Sequence, residues 1–161
     1  MSSFDRRSLI LMPLALAACG FTPVYGPGGN GSKLYGQVAV VAPASDESYV
    51  LYRELEERLG HSTDPFYRLA LTPSITRQGQ AITAAGEITR FSLVGRVTYS
   101  LHRLSDGTVV ASGNVENFAG YSATGSTVEA LAAENDAKER LMSILADQIS
   151  ARLLATAELP E

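Results

Sequence analysis

The sequence predicts an α+β two-layer sandwich: a sheet of about four strands with two helices on one face, in the order strand, helix, three strands, helix. Three observations carry this. From Phe91 to Leu101 the apolar residues Phe91, Leu93, Val97, Tyr99 and Leu101 hold odd positions, with Gly95 among them. Ser92, Arg96, Thr98, Ser100 and His102 hold even ones, Val94 excepted. A period of two describes a strand with one buried face and one wet face. Leu51, Tyr52, Leu55 and Leu59 recur at helical spacing. Ser126-Thr127-Val128-Glu129 is a capping box opening a long periodic segment.

The chain begins with a charged pair, Arg6-Arg7, followed by an apolar run from Leu9 to Ala18. That run is far shorter than the roughly 20 residues a membrane span needs and has the layout of a signal peptide over residues 1–18. It ends in Leu16-Ala17-Ala18-Cys19, which resembles a lipobox. Cys19 is then the acylated first residue of the mature protein, and the N-terminal lipid anchor holds the chain at a membrane. Arg6-Arg7 before Ser8-Leu9-Ile10 also resembles a twin-arginine export signal. Gly20, rather than aspartate, after the cysteine points to the outer membrane. Residues 19–36 read as a lipidated tether, because Pro27-Gly28-Gly29-Asn30-Gly31-Ser32 is turn and linker chemistry. Phe21, Val24 and Tyr25 are more apolar than a free linker requires. They either dock on the domain or lie at the lipid interface.

Residues 37–157 form the domain. Gln37 to Ala42 is a short strand with branched Val38, Val40 and Val41, ended by Pro43. Ser45 or Asp46 caps a helix over residues 46–59, and Gly60 is placed to end it. Phe66 to Thr76 is a strand in which Pro73 marks an edge or a bulge. Gln78-Gly79-Gln80 is a candidate turn. The alternating strand follows, then the tight-hairpin pair Asp106-Gly107 and a returning strand over residues 108–119. In the last helix Val128, Leu131, Ala132, Leu141, Ile144, Leu145, Ile149 and Leu153 supply an apolar stripe. Its small-sided middle, Ala132 to Ala137, suits either close approach to another backbone or a bend.

Composition restricts the function. The 161 residues carry 13 basic and 17 acidic side chains. Loss of Asp5, Arg6 and Arg7 with the signal leaves the mature chain near −5, against nucleic acid as a partner. Cys19 is the single cysteine, so no internal disulfide forms. His61 and His102 lie in unlike elements without convergent partners, and no nucleophile-elbow Gly-x-Ser-x-Gly occurs. The glycine-rich stretch at residues 26–31 lacks the lysine of a phosphate loop. Glu54, Glu56 and Glu57 spread around a helix as a solvated face. The reading is a binding or assembly component, with no cofactor and no metal, rather than an enzyme.

Taken together, Cys19-Gly20-Phe21-Thr22-Pro23-Val24-Tyr25-Gly26, the helix Tyr49 to Leu59, the strand Ile88 to Tyr99 and the helix segment Glu134 to Leu141 resemble the lipopolysaccharide-assembly lipoprotein family LptE, in its alphaproteobacterial form. The resemblance covers essentially the whole chain and rests on the order of elements with the Cys-Gly-Phe start. It implies a sheet with two helices packed on it. It also implies an outer-membrane lipoprotein that plugs the LptD β-barrel and helps deliver lipopolysaccharide to the cell surface. Cys19 carries over as the acylation site. The stretch Gln78 to Gly86 holds no cation after Arg77, so no lipopolysaccharide-binding position carries over by resemblance. From chemistry alone, Arg77, Arg90 and Arg96 are candidates for the phosphates of lipid A, since guanidinium forks match phosphate. The alternative for each is an exposed sheet-face arginine facing barrel wall or water. A rival class for the whole chain is an anchored periplasmic subunit of an ABC-type lipid or solvent transport system.

Overall fold

A computed structural model describes residues 24–26, 29–41, 46–82 and 88–159. The lipobox and Cys19 lie outside the described residues, as do Ser45 and the tip of the hairpin at residues 83–87. The elements are α1 (Asn30–Leu34), β1 (Val38–Val40), α2 (Asp46–Leu59), β2 (Tyr67–Ile82), β3 (Ile88–Arg103), β4 (Val109–Ser122) and α3 (Thr127–Thr156). The sheet has the order β1-β2-β3-β4, with β1 parallel to β2 and the other pairs antiparallel. The predicted class and element order are thus found. α3 packs across β3 and β4, and α2 packs against α3 and β1.

The alternation in β3 sorts its faces as expected. Leu93, Val97, Tyr99 and Leu101 are buried under the helices with Leu69, Leu141, Leu145, Ile149 and Leu153. Leu51, Leu55 and Leu59 add the buried stripe of α2. That helix ends at Gly60, whose φ of +79° is the left-handed conformation glycine adopts without strain. Its last turn is fastened by Gly36 N–H donating to Leu59 O at 2.7 Å. Gly95 lets α3 come close to the sheet, since a Cβ there would lie 2.9 Å from both Leu141 Cδ2 and Leu145 Cδ1. This contact falls beyond the Ala132–Ala137 stretch.

Pro73 sits at an edge for a specific reason. β1 reaches only Tyr67, Arg68 and Leu69 of β2. Tyr67 N–H donates to Gln37 O, and Leu69 O accepts from Val41 N–H, so odd peptide groups of β2 point to the β1 side. Four residues past the last pair, Pro73, also odd, turns its donorless nitrogen to the free edge. The Asp106-Gly107 turn is also found. Gly107 has φ +73°, Arg103 N–H donates to Thr108 O at 2.8 Å, and Asp106 Oδ1 accepts from Thr108 N–H at 3.0 Å.

Four expectations are corrected. Gln78-Gly79-Gln80 is not a turn: β2 runs on to Ile82, pairing Gln78 with Ser92 and Gly79 with Phe91, and the irregularity is a bulge between Gly79 and Ala81. Gly79 is needed because Ile88 lies over it, with Cδ1 2.9 Å from where a Cβ would be. In α3 the buried stripe is Ala137, Leu141, Met142, Leu145, Ala146, Ile149, Ser150 and Leu153. Val128 and Leu131 are 77% and 57% exposed and Ala132 is exposed too, because the first turns of the helix have no layer above them, whereas Ile144, in mid-helix, is exposed beside buried Leu141 and Leu145. Ser92, expected on the wet face, is buried among neighbouring side chains there. Finally, the linker-like stretch carries α1. Leu34 is fully buried, and Asn30 Nδ2 donates to Leu154 O and Ala157 O at 3.2 and 3.0 Å, fastening α1 to the end of α3. Val24 docks on this helix through Gly31 N–H donating to Val24 O.

Candidate interaction surface

The molecule has two ends and two sheet faces. The base gathers α1, residues 60–66, the β3–β4 hairpin and the end of α3. The tip gathers the β2–β3 hairpin and the start of α3. The helices cover one sheet face. The other face is open and bears Arg68, Thr72, Ser74, Arg96, Thr98, Ser112, Asn114 and Glu116, all exposed.

The three candidate arginines do not converge. Arg90 and Arg96 share the open face, six positions apart on β3, which at strand rise is about 20 Å. Arg96 is held by its cross-strand partner Glu116, with Nε and Nη2 donating to Oε2 at 2.9 and 2.5 Å. At such exposure the pair contributes no more than about 1 kcal/mol, but it occupies the guanidinium fork. Arg90 is exposed beside its partner Ser122.

Arg77 lies on the helix-covered face, opposite Leu93. Its guanidinium sits 5.0 Å from the centroid of Phe91, and Nη1 donates to Glu134 Oε2 at 3.4 Å. Phe91 stacks on Tyr121 at 5.4 Å, and Tyr121 O–H donates to the same Glu134 oxygen at 2.9 Å. Lys138 Nζ reaches Glu134 Oε1 at 3.1 Å. Burial alone would raise the Glu134 carboxyl, but Tyr121, Lys138 and Arg77 together hold it below the ordinary carboxylate range. Burial and the Glu134 bond push the Tyr121 hydroxyl up. Sequence reasoning placed Glu134 merely off the stripe. Its position one turn before Ala137, flanking the small-sided stretch, was the available signal.

The open face also holds an apolar island. Val94 and Phe118 are cross-strand partners, and Phe118 is 67% exposed. With Gln78, Gln80, Ser92, Glu116 and Asn117 they line a shallow groove of about 550 Å³. Amide side chains, an aromatic ring and a nearby ion pair make an amphiphilic surface. Val94 was the one apolar exception on the even side of β3, and Phe118 is its counterpart on the returning strand.

The remaining titratable groups tie elements together. Arg58 Nη1 and Nε donate to Glu54 Oε2 and Asp147 Oδ1 at 2.7 and 2.6 Å, joining α2 to α3. The Arg58 bond is the main reason the Glu54 carboxyl lies below its usual range. His61 Nδ1 lies 3.4 Å from Glu56, and His102 Nε2 lies 2.9 Å from Ser100 Oγ. Among the described residues no three His, Cys, Asp or Glu side chains gather to hold a metal ion.

A model of the family LptE, described as lipopolysaccharide-assembly, matches residues 35–153. Among solved structures, a protein assigned as a lipoprotein from Caulobacter crescentus CB15 is similar, with 26% identity and a TM-score of 0.66, over 81% of this chain and 96% of that one. A minor lipoprotein from Acinetobacter baumannii shares the fold at 18% identity and a TM-score of 0.58, over 78% and 98% of the two chains. Lipoprotein B from Nitrosomonas europaea does so at 17% identity and 0.57, over 75% and 83%. No curated protein matches the chain.

Proposed function

Because the chain belongs to the LptE family of lipopolysaccharide-assembly proteins, we propose that it is anchored in the outer membrane through acylated Cys19, sits inside the LptD β-barrel as a plug, and aids delivery of lipopolysaccharide to the cell surface. The observation that carries the reading is the uncovered polar face of the sheet, from Arg68 and Thr72 through Thr98 to Ser112 and Asn114. A sheet face left without a second layer invites a partner surface, and the lumens of large barrels are polar. The work required is structural: fill a lumen, stabilise a barrel, present a surface to an amphiphile.

Of the three arginines, Arg90 is the one for a lipid A phosphate. It shares the open face with the Val94–Phe118 groove, and its guanidinium is exposed. Arg96 already serves Glu116, and Arg77 is held over Phe91 against Glu134. An acyl chain on Phe118 with its phosphate at Arg90 is the corresponding pose.

Photo-crosslinkers at Gln80, Thr98 and Asp106 in intact cells test the plug. Capture of the barrel at these positions, with loss of barrel assembly and of surface lipopolysaccharide on depletion, is expected. Crosslinks landing only on soluble periplasmic subunits, with surface lipopolysaccharide unchanged on depletion, would favour an ABC-type transport role instead. For the anchor, Cys19→Ala should release the protein from membranes, and an unmodified residue 19 in the mature wild type would sink that part.

A further inference from the structure

The base of the molecule is unusually apolar for a surface. Tyr25 and Phe66 are 68% and 64% exposed, and Tyr35, Leu104 and Val109 are exposed beside them. Contacts place these residues together. The Tyr25 ring lies against Gly31 of α1, the Tyr35 ring lies against Gly60, Phe66 N–H donates to Gln37 O, and Leu104 N–H donates to Phe66 O. Pro65, Phe66, Tyr67, Arg103, Leu104 and Ser105 form a mainly apolar groove of about 550 Å³ there. In its wall Arg103 Nε is buried and without an acceptor among the described residues, although Nη1 donates to Asp106 at 3.1 Å.

We infer that this base is a membrane-contact surface: Tyr25, Tyr35, Phe66 and Leu104 rest in the headgroup layer of a phospholipid bilayer. The inference rests on the reading of Cys19 as acylated. Chain length selects the occupant. Five residue steps separate Cys19 from Val24, a span of at most about 18 Å. Val24 is fastened to α1, and α1 to the end of α3. An anchor buried in lipid therefore holds the base close to the bilayer. Phe118, opposite Val94 on the open face, lies about 30 Å away along β3. Tyrosine suits this setting because its ring is apolar and its hydroxyl is wet. Side chains of an interfacial face sink about 5–10 Å into the boundary.

The chain contains no tryptophan, so each introduced one is a single reporter. Full-length acylated Phe66→Trp, Leu104→Trp and Phe118→Trp proteins are reconstituted in phosphatidylethanolamine–phosphatidylglycerol vesicles carrying brominated acyl chains. Flotation and the acyl mass are measured on the same samples, and circular dichroism checks folding. The expected result is quenching at 66 or 104 that exceeds quenching at 118 by at least about twofold, as an interfacial depth requires. Floating, acylated protein with equal quenching at all three positions overturns the membrane-contact surface and leaves the anchor intact. Protein that carries no acyl mass and does not float removes the anchor, and the inference falls with it.

Discussion

Gly95→Ala tests the packing of the two layers by a single methyl group. Its Cβ would stand 2.9 Å from Leu141 Cδ2 and Leu145 Cδ1, and 3.1 Å from Leu141 Cγ. Both leucines are fully buried, so neither side chain has free volume to swing into. Overpacking of this kind costs about 1–3 kcal/mol. Removing a glycine from the unfolded ensemble returns about 0.4–1 kcal/mol. The net loss is then about 1–2 kcal/mol, a fall in Tm of roughly 3–8 °C for a domain of this size. Gly120→Ala is the matched control. It also lies in a strand, near the end of β4, but its nearest atom is Phe91 O at 3.7 Å, so the entropy gain stands nearly alone. Urea unfolding of both variants, with Gly95→Ala repeated in a Leu141→Ala background, gives the answer. The second change should relieve the clash, so the two losses add to less than their sum. Gly95→Ala no less stable than Gly120→Ala, or strict additivity with Leu141→Ala, would refute the close approach of α3 to β3.

Three further outcomes are expected. Val97→Asp should destabilise by more than about 3 kcal/mol, because it leaves a carboxylate unpaired under the helices, whereas Thr98→Asp on the open face should unfold at nearly the wild-type urea midpoint. Asn30→Ala should cost about 1–2 kcal/mol and speed amide exchange at Gly31 and Tyr35, since the two bonds that fasten α1 to Leu154 O and Ala157 O are lost. The Glu134 carboxyl is lowered in the folded state, so its contribution is present above the unfolded value of about 4.3 and is lost as pH falls through the folded one. Glu134→Gln should therefore flatten the acid limb of a Tm-against-pH curve, and an acid limb as steep as the wild type's would remove Glu134 from that account.

Periodicity made the sheet legible. Each residue of β3 from Leu93 to Leu101 meets one environment, so alternation reports burial directly, and the capping box at Ser126 with Glu129 is a local structure that needs no tertiary information. What was not legible depends on where an element ends relative to its neighbours. Val128 and Leu131 have the spacing of a core stripe, yet α3 starts beyond the layer that would cover them. Gln78-Gly79-Gln80 has turn composition, yet pairing with Ser92 and Phe91 and the Ile88 side chain over Gly79 extend the strand through it. Asn30 reads as linker because its partners, Leu154 and Ala157, lie more than a hundred residues away. For the candidate site, the residue type of Arg77, Arg90 and Arg96 was informative but their spatial grouping was not. Odd and even positions on neighbouring strands place Arg77 behind the sheet and the other two in front.

The latch between Asn30 and the end of α3 joins the two extremities of the described domain. Asn30 stands among the first residues of the fold and Leu154 and Ala157 among its last, so its two bonds form only when the final helix is complete. α1 is then held from both sides, by this latch and by buried Leu34 with the Gly36–Leu59 bond. A chain cut short before Leu154 would keep most of its core but leave Asn30 without either acceptor, so a loss at one extremity is felt at the other.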